Sequence, residues 1–113
     1  MIASTRLDPS GRPWAEVAEA AGLLAVVADP NRLAVLRVLC EGTTCVCRLQ
    51  ERVPVAANLL SYHLRVLREA GLITGTRRGK WIDYRLVDGA LGRLHGALPA
   101  AACRDDSQAG APW

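Results

Sequence analysis

The stretch from Val55 to Ala70 has two opposed faces, and that division restricts the chain to folds in which one helix is half core and half exposed surface. At about 3.6 residues per turn, Ala56, Leu60, Leu64 and Leu67 gather on one side as an apolar stripe. Asn58, Ser61, Tyr62 and Arg65 gather on the opposite side, at the spacing i, i+3, i+4, i+7. An ordinary solvated helix surface mixes Glu with Lys; this one collects hydrogen-bond donors and acceptors around one guanidinium. Gly71 stops the helix. The β-favouring runs Leu72–Thr76 and Trp81–Leu86 follow, flanking the tip Arg77-Arg78-Gly79-Lys80, which is a hairpin signal.

The remaining segments read as helices. Pro13 suits a first helical position, and Trp14 to Ala28 alternates apolar and acidic residues. Asp29 caps a second helix with Pro30 in its first turn, running to about Cys40 and closed by Glu41-Gly42. Thr43 or Thr44 caps a short third helix from Cys45 to about Arg52, and Val53-Pro54 turns into the two-faced helix. Asp88 caps a last helix to about Leu98, where Pro99 intervenes. The order helix–helix–helix–helix–hairpin–helix predicts a mainly α chain with a β-hairpin wing, a winged helix-turn-helix. One domain is expected over residues 13–103, between a flexible N-terminal arm, 1–12, and a polar, disordered tail, 104–113.

With 113 residues the chain makes one small domain that gains from dimerisation. No apolar run reaches membrane-spanning length, since the stretch from Ala20 to Ala28 is short and contains Gly22. Met1 to Arg12 lacks the apolar core of a signal peptide, so a soluble, cytoplasmic protein is expected. The net charge of +3 permits nucleic-acid binding without requiring it, but Arg65, Arg68, Arg77, Arg78, Lys80 and Arg85 fall in one window.

A polar helix face followed by a basic hairpin points to double-stranded DNA. Asn58, Ser61, Tyr62 and Arg65 suit base edges and phosphates, and Arg77, Arg78 and Lys80 suit the flanking phosphates or minor groove. Single cations at such a tip also serve simply to blunt an exposed turn. His63 adjoins the candidate DNA-binding set, although its place at the edge of the apolar stripe favours a packed, hydrogen-bonded histidine. Trp81 and Tyr84 are expected to pack the hairpin on the core. No Ser/His/Asp or Cys/His arrangement, phosphate loop or paired-carboxylate motif occurs, and His95 stands alone, so no enzyme is expected.

Two of the four cysteines stand one residue apart, Cys45-Val46-Cys47, just ahead of that helix. Clustered thiols in a cytosolic chain are more often metal ligands or redox groups than structural bridges. As soft ligands they favour As(III), Sb(III), Hg(II), Cd(II) and Pb(II). On a regular helix, side chains two residues apart diverge by about 200°. The two thiols therefore converge on one ion only if the first helical turn is irregular or unwinds, and binding is expected to distort the start of the third helix and tilt the recognition face. Cys103, beyond Pro99, is the candidate third ligand, with a stray tail thiol the rival reading. Three thiolates suit trigonal As(III) or Sb(III); two alone suit linear Hg(II). Cys40 falls with Leu33 and Leu36 on the buried stripe of the second helix and is expected in the core. A redox switch is the alternative, the cysteines forming a disulfide or persulfide; a disulfide would join one of the pair to Cys103, because an i, i+2 disulfide closes a strained ring.

These residues together resemble the ArsR/SmtB family of winged-helix metal-sensing repressors. The similarity is carried by Ala28-Asp29-Pro30-Asn31-Arg32-Leu33, by Cys45-Val46-Cys47, by the run Ser61-Tyr62-His63-Leu64-Arg65-Val66-Leu67-Arg68-Glu69-Ala70-Gly71-Leu72, and by Gly79-Lys80-Trp81 with Tyr84-Arg85-Leu86. The resemblance covers roughly residues 14 to 98. It implies a homodimer held by the first and last helices, bound to a palindromic operator and released by the inducing ion. The Cys-Val-Cys pair is similar to that of the arsenite/antimonite and cadmium/lead sensors. The family's zinc ligands on the last helix are not matched, because Ala90, Ala101 and Arg104 follow Asp88 where the other ligands belong. Gln50 stands where arsenic sensors often carry a third cysteine, and no cysteine precedes Cys40 as in the cadmium sensors.

Overall fold

A computed structural model describes residues 6–99. In it five helices enclose one core and carry a small sheet at one edge. The helices are α1 (Trp14–Val27), α2 (Pro30–Leu39), α3 (Val46–Arg52), α4 (Ala57–Glu69) and α5 (Ala90–Gly96). The strands are β1 (Thr44–Cys45), β2 (Ile73–Arg78) and β3 (Trp81–Leu86), antiparallel in the order β1-β3-β2. This is the winged helix-turn-helix expected from the sequence, with one addition. The two-residue strand β1 precedes α3 and pairs Thr44 with Tyr84 and Cys45 with Asp83.

Asp29 caps α2 as anticipated, its carboxylate accepting from the backbone N–H groups of Asn31 and Arg32 at 2.8 and 3.2 Å. α4 ends in a Schellman motif, with Leu72 N–H on the Leu67 carbonyl and Gly71 N–H on that of Arg68. Gly71 has φ +75°, which explains why glycine occupies that position. Gly75 is required for a different reason: a Cβ there would lie 2.9 Å from Cε1 of Tyr84, its partner across the sheet. The core joins Val35, Leu36 and Leu39 of α2, Leu49 of α3, Leu60, Leu64 and Leu67 of α4, Leu72 and Ile73, Tyr84 of the hairpin, and Leu94 of α5. No described helix is long and apolar enough to cross a membrane.

Several local expectations are corrected. Cys45 is not helical but sits at the N-cap of α3 with extended φ −73° and ψ 151°. Neither threonine caps α3; the Thr44 hydroxyl donates to the Gly42 carbonyl instead. Ala56 is the exposed N-cap of α4 and not part of the apolar stripe. β2 extends through Arg78, so the tip shrinks to Gly79-Lys80. Gly89, not Asp88, caps α5. Cys40 is exposed at the C-cap of α2, because the last turn carries it off the buried stripe. Tyr84 packs into the core, whereas Trp81 is 43% exposed. The described part of the N-terminal arm is a closed loop. Asp8 accepts from the N–H groups of Ser10 and Arg12, Trp14 N–H donates to the Arg6 carbonyl, and the Arg6 guanidinium lies 4.6 Å from the Trp14 ring. Residues 104–113 and Cys103 lie outside the described residues.

Candidate nucleic-acid interface and thiol site

The two faces of α4 separate as its sequence requires. Leu60, Leu64 and Leu67 are buried, while Asn58, Ser61, Tyr62 and Arg65 are exposed. Arg65 lies with Cζ 5.6 Å from the Tyr62 ring centroid, one turn away, which holds the guanidinium over an aromatic face. That side therefore offers an amide, a hydroxyl, a phenol and a fixed cation, a group suited to hydrogen bonding with a polar surface.

His63 does not belong with them. It is 7% exposed, and its Nδ1 lies 3.1 Å from Nη1 of Arg32. Because the guanidinium only donates, Nδ1 is the acceptor and the ring proton falls on Nε2, which faces Asp29 Oδ1 at 4.0 Å. Arg32 also donates through Nε to the Val26 carbonyl. His63 thus ties α4 to the N-terminus of α2 and to the end of α1. It positions the helix and has no access to a base edge. Hydrogen bonding from the backbone N–H groups of Arg32 and then of Asn31, with the nearby Arg32 charge, holds the Asp29 carboxyl below its ordinary pKa.

Sequence reasoning missed Arg93. From α5 it donates to the carbonyls of Gly71 and Ala70 at 3.1 and 3.3 Å, satisfying the C-terminal end of α4. Nothing in its local sequence signals this, since the contact joins residues far apart in the chain.

The wing cations are not equivalent. Arg77 reaches back through Nε to the Gly79 carbonyl at 3.3 Å, and Lys80 lies 5.4 Å from the Trp81 ring. Arg78 makes a two-point contact with Asp83, Nε to Oδ2 at 2.7 Å and Nη2 to Oδ1 at 3.2 Å. That contact lowers the Asp83 pKa and raises that of Arg78. The sequence did carry a signal for it: Asp83 is an acidic residue inside an otherwise basic wing.

Cys45 and Cys47 are joined to each other as a disulfide, with Cα atoms 5.4 Å apart. This corrects one expectation, since the i, i+2 pair bonds within itself. The irregular start expected for α3 is present: Cys45 is extended on β1, while Cys47 lies in the first turn of the helix. The pair lines a cleft of about 630 Å³ together with Arg48, Arg78 and Asp83. At its other side Glu41 and Arg52 form a second ion pair, at 2.6 and 3.1 Å, which lowers the Glu41 pKa. Reduced, the pair would present two thiolates, one from β1 and one from α3, and such a donor set fits a soft ion. No cluster of three or more His, Cys, Asp or Glu side chains able to hold a metal occurs among the described residues.

A helix-turn-helix followed by a basic wing defines a class of winged-helix regulatory proteins. The family model for the bacterial regulatory protein arsR family matches residues 29–74, from the cap of α2 into β2. The HTH-type transcriptional repressor SmtB of Mycobacterium tuberculosis is 40% identical over 83 residues, 73% of this chain and 62% of that protein. The arsenical resistance operon repressor of Bacillus subtilis is 46% identical over 63 residues, 55% of this chain and 60% of that protein. The chain thus spans about three fifths of the length of these two relatives. The crystal structure of the transcriptional repressor BigR from Xylella fastidiosa superposes with a TM-score of 0.65 at 32% identity, covering 74% of this chain and 83% of that one. The chain belongs to the arsR family, a family of bacterial regulators and not of enzymes.

Proposed function

We propose that the chain is a cytoplasmic transcriptional repressor that binds a palindromic operator in double-stranded DNA as a homodimer. Release follows when As(III) or Sb(III) binds the thiolates of Cys45 and Cys47. The observation that carries this reading is the placement of the thiol pair: one sulfur on the strand that pairs with the wing, the other on the helix preceding α4. Asn58, Ser61, Tyr62 and Arg65 enter the major groove, while Arg77, Arg78 and Lys80 approach the flanking backbone. The homodimer uses α1 and α5. α1 has no buried residue, and Trp14, Leu91 and Leu98 are left exposed. A two-fold axis then repeats the interface on two half-sites. Likeness to an arsenical resistance operon repressor supports a metalloid inducer.

Cys103 supplies the third thiolate in this proposal. Hg(II) is the two-sulfur alternative, and Cd(II) or Pb(II) follow if further donors join. Because Cys45 lies on β1 and Cys47 on α3, an ion held between them acts on the attachment of β1 to the wing. Ultraviolet titration of the reduced protein with As(III), Hg(II) and Cd(II) tests this by the thiolate charge-transfer bands. One As(III) per chain, lost in Cys103→Ser, supports three thiolates; Hg(II) binding alone, insensitive to that change, supports two. In gel shifts Cys45→Ser/Cys47→Ser should bind operator normally yet resist induction, and normal release of this variant by arsenite would sink the proposal.

The bond between Cys45 and Cys47 favours a second reading, a thiol redox switch at the same site. Thiol counting and DNA release after peroxide or polysulfide, set beside arsenite, separates the two.

A further inference from the structure

The sheet register places the thiol pair and one wing arginine on the same row. Cys45 stands opposite Asp83 on β3, and Asp83 stands opposite Thr76 on β2. Residues directly opposite in an antiparallel pair share a face, and so do residues two apart on one strand. Cys45, Asp83, Thr76 and Arg78 therefore line one face of the sheet. On it the Asp83 carboxylate grips Arg78 with two hydrogen bonds, at 2.7 and 3.2 Å. The Asp83 side chain is only 21% exposed, whereas that of Arg78 is 67% exposed and free to swing outward.

We infer that Asp83 competes with DNA phosphate for Arg78, and that the state of the Cys45–Cys47 pair decides the competition. Solvent-exposed ion pairs are weak, so exchanging a carboxylate for a phosphate is close to balanced and a small structural bias sets the outcome. That bias comes from β1. The strand is two residues long and pairs only with β3. When Cys45 and Cys47 are held together, β1 is anchored to the first turn of α3. Asp83 then stays in register, and Arg78 remains on the cleft side, away from DNA. When the thiols are separate, so short a strand frays at little cost. Asp83 then loses its alignment, and Arg78 turns to the phosphate backbone. The competition for Arg78 rests on the DNA binding proposed above, and the inducer's role in closing the pair rests on the thiol site proposed there.

The salt dependence of binding reports how many phosphates the protein neutralises. The slope of log K against log salt changes by about 0.9 for each phosphate that a side-chain cation newly neutralises or lets go. The test uses the reduced full chain on a duplex that this chain selects from random sequence, with As(III) as the probe of closure. Wild type should lose about 0.9 of slope per chain when As(III) is added. Asp83→Asn should bind As(III) with unchanged charge-transfer bands, keep its slope, and require at least fivefold more As(III) for half-release. Arg78→Gln should show the flatter slope already without As(III). If Asp83→Asn flattens and releases like wild type, or Arg78→Gln keeps the wild-type slope without As(III), the inference is wrong. Should Asp83→Asn fail to fold, the Arg78→Gln comparison still decides. A wild-type chain that binds no As(III) overturns the inducer reading alone. The chain closed by peroxide at Cys45–Cys47 then provides the closed state for the same slope measurement, and an unchanged slope on closure overturns the competition.

Discussion

Helices α1 and α4 have nearly the same length but bury very different amounts. α1, Trp14–Val27, is rich in Ala, Leu and Val and buries no residue fully. α4, Ala57–Glu69, is more polar yet buries Leu60, His63, Leu64 and Leu67. Apolar content does not determine burial; a facing partner does. α4 has such partners in α2, the hairpin and α1, while α1 meets the rest of the chain only through residues such as Leu23, Val26 and Val27, which are half-buried. The two helices thus leave opposite surfaces unfilled. α1 needs an apolar partner, which the proposed second copy supplies, and α4 needs a polar one, which the proposed DNA supplies.

Cutting back a side chain on each helix tests this contrast most strongly. Leu64→Ala removes a side chain that is 2% exposed and should cost about 2–5 kcal/mol in urea denaturation, at any protein concentration. Trp14→Ala should leave the stability of the monomer nearly intact and weaken dimerisation, seen as dissociation at higher concentrations in sedimentation. If both substitutions destabilise the chain equally, regardless of concentration, α1 is an ordinary core helix and the contrast fails.

The polar side of α4 gives the next effect. Arg65→Ala should weaken operator binding by about 10- to 100-fold, the cost of one good base or backbone contact, with no change in melting temperature. Full-strength binding would remove Arg65 from the DNA-facing set and leave its stacking on Tyr62 as its only role.

The division of α4 was legible in sequence because it rests on local periodicity, which Leu60, Leu64 and Leu67 obey. The cap at Asp29, the stop at Gly71 and the hairpin strands were legible for the same reason, since each depends on residues a few positions apart. Contacts that join distant segments were not. The bond from Arg32 to His63 spans 31 positions and that from Arg93 to Gly71 spans 22, and neither residue type announces its partner. β1 is not legible because two residues carry no alternation, and helical periodicity draws Cys45 onto a helix it only introduces. The convergence of the thiols and the link to Asp83 both depend on that strand.

The foot of α4 gives a smaller, pH-dependent effect through Asp29. The folded chain lowers the pKa of this carboxyl from its ordinary 3.8, so its charged form contributes stability above that value. The contribution is lost as pH falls through the lowered folded value. Asp29→Asn keeps a capping side chain but removes the charge. Its melting temperature should lie below wild type between about pH 5 and 7, and the gap should close as pH falls below about 4. A gap that persists at acid pH would mean that the charge facing Arg32 and His63 contributes nothing and that only the shape of the cap matters.

Cys40→Ser should have the smallest effect. Periodicity along α2 places Cys40 with Leu33 and Leu36 on one buried stripe, yet Leu33 is 40% exposed and the thiol is exposed at the helix C-cap. A hydroxyl there loses no packing, so the melting temperature should move by less than about 3 °C. Glu41 and Gly42, the next residues, line the cleft that holds Cys45 and Cys47, but Cys40 itself does not. As(III) should therefore bind the variant at the wild-type stoichiometry and release it from DNA at the same concentration. If the charge-transfer bands instead weaken in Cys40→Ser and persist in Cys103→Ser, the third thiolate comes from the end of α2. The inducer would then clamp α2, β1 and α3 together, and the thiol site would act on α4 through its packing against α2 as well as on the wing.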